Sequence, residues 1–317
     1  MNSENMIPNV KEDIIQIKSN SDFKNIKSDY FLQKLFDYLR KNKSLVIVKY
    51  NKNIQKRLNI NINDYKLCSG IEIEIIPSKE QYEYNRIINY KEEEKAFYHI
   101  YFNDSIKEIN NNSLNKEDKI SKIKIIIDYQ VKSFDYLFYG CINMESIFFK
   151  KFYRNNITNM HSMFYACNTL KELNLSNFNS DNVTDMGYMF FASSSLKELN
   201  LSSFDTKNVV KMDSMFSQCT SLEKINISNF NTNNVTNMEF MFSICTSLKE
   251  IDISNFNTNN VKNMFSMFDR CSSLKELNFS NFNTNNVTNM KYMFGGCSEQ
   301  LKIKIKSQYK IFSDDAF

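Results

Sequence analysis

The chain has 317 residues, 42% of them hydrophobic, and a formal net charge of +4. A balance this close to neutral argues against the strong basic field that holds nucleic acid or an anionic membrane. No run approaches the roughly 18 apolar residues of a membrane span, and residues 1–20 lack the apolar stretch of a secretory signal. The expectation is therefore a cytoplasmic protein without membrane insertion, with a surface or secreted protein as the alternative.

Residues 1–120 do not repeat and predict a small α+β domain. Phe31, Leu35, Tyr38 and Leu39 share one face of a helix expected over Tyr30–Leu39. Leu45–Tyr50, Ile71–Ile76 and Phe97–Phe102 read as strands, and Ile54–Leu58 as a short helix. Lys79–Lys95 is charged and reads as a loop, its Glu92, Glu93 and Glu94 forming a solvated run.

Residues 121–317 are built on a repeat of 26 residues. Met160-x-x-Met163-Phe164 returns at Met186, Met212, Met238, Met264 and Met290. A fixed period of this length is the mark of a solenoid, in which each unit buries its apolar face against its neighbours. One further unit precedes the Met motif, with Phe134, Leu137, Phe138 and Cys141 in register. Before it, Lys122–Ile127 aligns with the strand part of a unit and is expected to cap the stack. At the far end Ile303 and Ile305 keep the strand phase, but Gln308 falls where Phe is due.

Within one unit, Val183, Met186, Met189, Phe190 and Ser193 are spaced three, three, one and three, which predicts one face of a short helix. Leu199 and Leu201 alternate as in a strand. The fold class expected is an α/β solenoid: a leucine-rich-repeat stack with one parallel sheet and short helices on the opposite face, preceded by the small α+β domain. Three columns should be buried along it. They are Phe152 to Phe282, the cysteines from Cys141 to Cys297 with Ser193 breaking the line, and the Met/Phe face. Asn156, Asn182, Asn208, Asn234, Asn260 and Asn286 should hydrogen-bond each turn to the next unit.

Chemistry-bearing constellations are scarce. His99 and His161 are the two histidines, and no His/Cys pair has metal-ligand spacing. The cysteines read as reduced, inert, small apolar residues. Gly295-Gly296 reads as a turn, not a phosphate loop. The expectation is a non-enzyme without a cofactor, whose partner is another protein; its oligomeric state stays open.

Two surfaces are candidates for that partner. The strand face exposes Glu172, Glu198, Lys224, Glu250 and Glu276 in one line, with Asn174, Asn200, Asn226, Asp252 and Asn278 beside them. The helix face varies more, with Tyr188, Phe191, Phe240, Ile244, Phe265 and Tyr292 at changing positions. Varied apolar residues on a constant scaffold are what a specific protein contact needs.

The unit from Ser195 to Cys219 resembles the BspA-like leucine-rich repeat family, which includes the 26-residue repeat of mycoplasma lipoproteins and many protist proteins. The resemblance covers about residues 122–306. It implies a curved solenoid used in protein binding, often as a surface adhesin. Tyr30–Leu39, Leu45, Val48 and Lys52–Leu58 resemble the rhythm of an F-box. That would imply a substrate receptor of a ubiquitin ligase, although the usual Pro and Trp are missing here.

Overall fold

The computed structural model describes residues 28–30, 32–33, 51–60, 70–79, 86–115, 119–152 and 154–317. The strand expected at Leu45–Tyr50 lies outside them, as do most of the helix expected at Tyr30–Leu39 and part of the loop expected at Lys79–Lys95. Two compact units divide the chain, Met1–Gly70 and Ile71–Phe317. In the first, helix α1 (Lys52–Arg57) starts where the side chain of Asn51 accepts from the Ile54 amide at 3.2 Å. The Arg57 guanidinium pairs with Asp29 at 2.6 Å.

The second unit opens with antiparallel strands. β1 (Ile71–Pro77), β2 (Tyr98–Phe102) and β3 (Ile123–Ile127) put isoleucines or aromatics inward at alternate positions. β4 (Met144–Lys151) and β5 (Glu172–Asn174) complete a sheet in the order β2-β3-β1-β4-β5. β1 pairs antiparallel with both β3 and β4, and only β4–β5 is parallel. A separate parallel pair joins β6 (Glu198–Asn200) to β7 (Lys224–Asn226). β1 and β2, expected within residues 1–120, therefore share a sheet with the first strands of the repeat.

The leucine-rich-repeat solenoid expected from the period is corrected by this architecture. The main sheet is mixed, not a single parallel one, and the repeat strands that form are three residues long after β4. The segment Ile123–Ile127 is no parallel rung but an antiparallel central strand. Among the described residues of 131–297, where the Met motif lies, no helix forms. Each unit holds two left-handed residues instead, four apart: Tyr188 (φ 55°) and Ala192 (φ 55°), repeated at Ser214 and Gln218, Phe240 and Ile244, Ser266 and Arg270. An α-helix cannot run through such residues.

The amides of this segment alternate in their partners. Leu137, Tyr139 and Cys141 donate to the carbonyl three residues back at 3.0–3.1 Å, closing tandem turns. Phe134, Tyr136, Phe138 and Gly140 donate to Asn159, His161, Met163 and Tyr165 of the next unit at 2.8–3.0 Å. Parallel bridges link the units on this side, from Ser133 through Asn159, Asp185, Lys211, Asn237 and Asn263 to Asn289. The units are thus joined through their turns more continuously than through their strands.

One contiguous core fills the unit. Phe138, Phe164, Phe190, Phe216, Phe242, Phe268 and Phe294 stack with centroids 5.3–6.2 Å apart and planes within 14°. Phe152 to Phe282 form a second buried aromatic column. The cysteine column does more than fill space. Cys167, Cys219, Cys245, Cys271 and Cys297 each donate, at 3.1 Å, to a phenylalanine carbonyl of the preceding unit. Ser193 makes the same bond at 2.6 Å to Phe164, so the break in the cysteine line keeps its donor. Asn182, Asn208, Asn234, Asn260 and Asn286 do tie units together, but to the preceding unit rather than the next, at 2.7 Å.

The end of the stack also departs from expectation. Ile303 and Ile305 sit in helix α2 (Glu299–Gln308), not a strand; Ser298 caps it by accepting from the Leu301 amide. The chain then returns, and Tyr292 and Phe294 donate to Asp315 and Ala316 at 2.7 Å. Those carbonyls stand where the next unit would, and Phe312 and Phe317 pack on Phe294.

Candidate protein-binding surfaces

On the strand face, alternation turns the middle residue of each Glu-Leu-Asn or Lys-Ile-Asn triplet inward and leaves its neighbours exposed. Glu198, Asn200, Lys224, Asn226, Glu250, Asp252, Glu276 and Asn278 line a groove of about 760 Å³. Glu172 and Asn174, on β5, are exposed but lie outside its lining. Lys304, Gln308 and Tyr309 also line it. These three were not among the expected residues, because Ile303 and Ile305 read as a strand and concealed α2.

The rim of the groove is polar and partly self-neutralised, above the aliphatic side chains Leu199, Ile225, Ile251 and Leu277. Lys224 pairs with Glu198 at 3.3 Å and Lys304 with Glu276 at 3.1 Å, all four well exposed. Among the described residues Glu250 and Asp252 have no ion-pair partner. The Ser254 hydroxyl and amide hold the Asp252 carboxyl below its ordinary range. Asn200, Asn226 and Asn278 accept in the same way from the amide two residues on, at 2.9–3.2 Å. This amide column therefore shapes its own turns, which leaves the glutamates and lysines, with Leu199, Ile225, Ile251, Leu277 and Tyr309, to contact a ligand.

The aromatic residues expected on a helix face lie on the turn face, since the helices do not form. They gather in two groups. Tyr188 and Phe191 join Tyr136, Tyr139, His161 and Tyr165. Tyr139, Tyr165 and Phe191 stack at 4.6 and 4.7 Å, and Tyr136, His161 and Tyr188 follow at 5.7 and 5.6 Å. Phe240, Phe265 and Tyr292 form the second group, at 5.1 and 5.9 Å. The 26-residue spacing of Tyr139, Tyr165 and Phe191 carried the signal for the first ladder. Carboxylates lie along this face. Asp185 pairs with Lys211 at 2.9 Å, and burial raises the carboxyls of Asp135 and Asp213.

The thiols are poor nucleophiles. Burial pushes Cys219 up to about 12 and Cys297 up to about 11, and holds Cys167, Cys245 and Cys271 well above the ordinary thiol range. Among the described residues, no group of three or more His, Cys, Asp or Glu could hold a metal ion, and no helix is long and apolar enough to cross a membrane.

No curated protein and no solved structure matches the chain. One family is matched, described as "Mycoplasma protein of unknown function, DUF285", over residues 132–225 and 190–308. Those two overlapping stretches coincide with the stacked 26-residue units and span more than half of the sequence. The chain belongs to this family, DUF285.

Proposed function

We propose that this protein is a non-catalytic scaffold that binds a partner protein through the groove on its strand face. The observation that carries the reading is the groove itself. It repeats one polar row per unit over Glu198, Lys224, Glu250 and Glu276, and α2 contributes Lys304 to its lining. Its backbone is locked by Asx turns and cross-unit bonds, so little conformational entropy opposes binding. The resemblance of Ser195–Cys219 to BspA-like repeats supports the same reading, because that family implies protein binding.

The test is capture of partner proteins by the full chain, set beside a chain carrying Glu198→Ala, Glu250→Ala and Glu276→Ala. These side chains are exposed, and exposed ion pairs contribute about 1 kcal/mol or less, so the variant should fold. The expected outcome is a partner retained by the parent and lost by the variant. Equal capture by both would remove the site from the groove.

A further inference from the structure

From the turn face, which the groove reading leaves unused, we infer that the interval between Tyr188 and Phe240 is a second docking site, for a partner segment carrying a lysine or arginine between apolar side chains. Tyr136, Ser162, Tyr188, Ser214, Phe240, Ser266 and Tyr292 occupy the same place in successive units, and all have φ between 52° and 57°. Bulky side chains are the least suited to this left-handed region. Every second unit nevertheless places a large ring there, and Tyr136 and Tyr292 are 45% and 58% exposed. A serine fills this place in the units between; Ser162, Ser214 and Ser266 are buried, while Tyr188 and Phe240 on either side of Ser214 are partly exposed, so a large ring is not needed at every unit of the stack.

The register then places acid between apolar ends. Tyr136, His161 and Tyr188 form one ring cluster, and Phe240, Phe265 and Tyr292 the other. Between them the Tyr188 amide donates to the Asp213 carbonyl, and the Ser214 amide to that of Glu239. Asp213 and Glu239 therefore stand in the interval. Among the described residues neither has an ion-pair partner, although Glu239 accepts from the Asn263 side chain at 2.8 Å. Lys211, the cation next to them, is taken by Asp185. Tyr188 and Phe240 are two units apart, about 10 Å at ordinary strand spacing. A cationic side chain entering this interval would meet two carboxylates and the flanking rings together, while apolar neighbours in the partner cover the two clusters.

The experiment uses the full chain and three fluorescein-labelled nine-residue peptides. One has a central arginine flanked by leucines, the second has glutamate in place of arginine, and the third has serines in place of the leucines. The first is expected to bind at least tenfold more tightly than either other. Tyr188→Ser with Phe240→Ser should lower that affinity at least tenfold while lowering the melting temperature much less than a core variant such as Phe216→Ala does, because both rings are partly exposed and serine is compatible with the backbone of this column at Ser162, Ser214 and Ser266. Asp213→Asn with Glu239→Gln should abolish the preference for arginine over glutamate. Equal binding of the three peptides, or no binding of any, would overturn the inference. So would a double-serine variant that melts as early as a core variant, since the rings would then be structural. If the groove variant, rather than the turn-face variants, loses the arginine peptide, this site falls and the groove reading stands.

Discussion

Cys245 separates the two parts a buried thiol can play, as apolar filler or as hydrogen-bond donor. Its Sγ is fully buried and donates to the Phe216 carbonyl at 3.1 Å, and that carbonyl also accepts from the Cys219 amide at 3.2 Å. Replacing Cys245 by Ala leaves the carbonyl with one partner instead of two, a loss of about 1 kcal/mol. The missing sulfur forfeits about 1 kcal/mol more of buried volume, judged by a methylene-sized group. The sum, about 2 kcal/mol, corresponds to a fall of about 4–8 °C in melting temperature for a body of this size. Replacing Cys245 by Ser keeps the donor, and Ser193 shows that the site accepts a hydroxyl, with its 2.6 Å bond to Phe164. The Ser variant should therefore lie within about 1 kcal/mol of the parent. Thermal and urea melts followed by circular dichroism, under reducing conditions, measure both variants. A Ser variant that falls as far as the Ala variant would refute the donor role and return the column to simple apolar filling.

Two further outcomes are expected. Phe216→Ala removes a fully buried ring lying 5.6 Å from Phe190 and 5.3 Å from Phe242, and should cost about 3–5 kcal/mol in the same melts; an unchanged curve would contradict the stack. Asp213 carries a pH dependence. Burial raises its carboxyl, so the folded chain keeps this proton to higher pH than the unfolded chain does. The associated stability is full below the unfolded carboxylate range and is lost as pH rises through the raised folded value. Asp213→Asn should therefore be more stable than the parent at pH 7 and nearly equal to it below pH 4. A variant less stable than the parent at pH 7 would show that Asp213 is compensated in the fold and would reverse the sign.

Much of the core was legible in the primary structure, because a strict 26-residue period places like residues in the same environment unit after unit. Met186, Met189, Phe190 and Leu196 are all buried, as are the Phe152–Phe282 and cysteine columns. The strand-face row was legible for the same reason, since alternation alone exposes Glu198, Glu250 and Glu276. The local conformation of the Met motif was not. A spacing of three, three, one and three suits one helical face and suits tandem turns equally well. The choice falls to amides such as Tyr188 and Phe190, whose partners, Asp213 and Met215, lie 25 residues away. Strand direction was hidden too, because Ile123, Ile125 and Ile127 alternate identically whether the strand runs parallel or antiparallel to its neighbour. Lys304 and Tyr309 reach the groove, and the surface rings gather into two clusters, only through contacts between distant residues. A period says which residues recur together; the hydrogen bonds and packing formed across units decide what shape that recurrence takes.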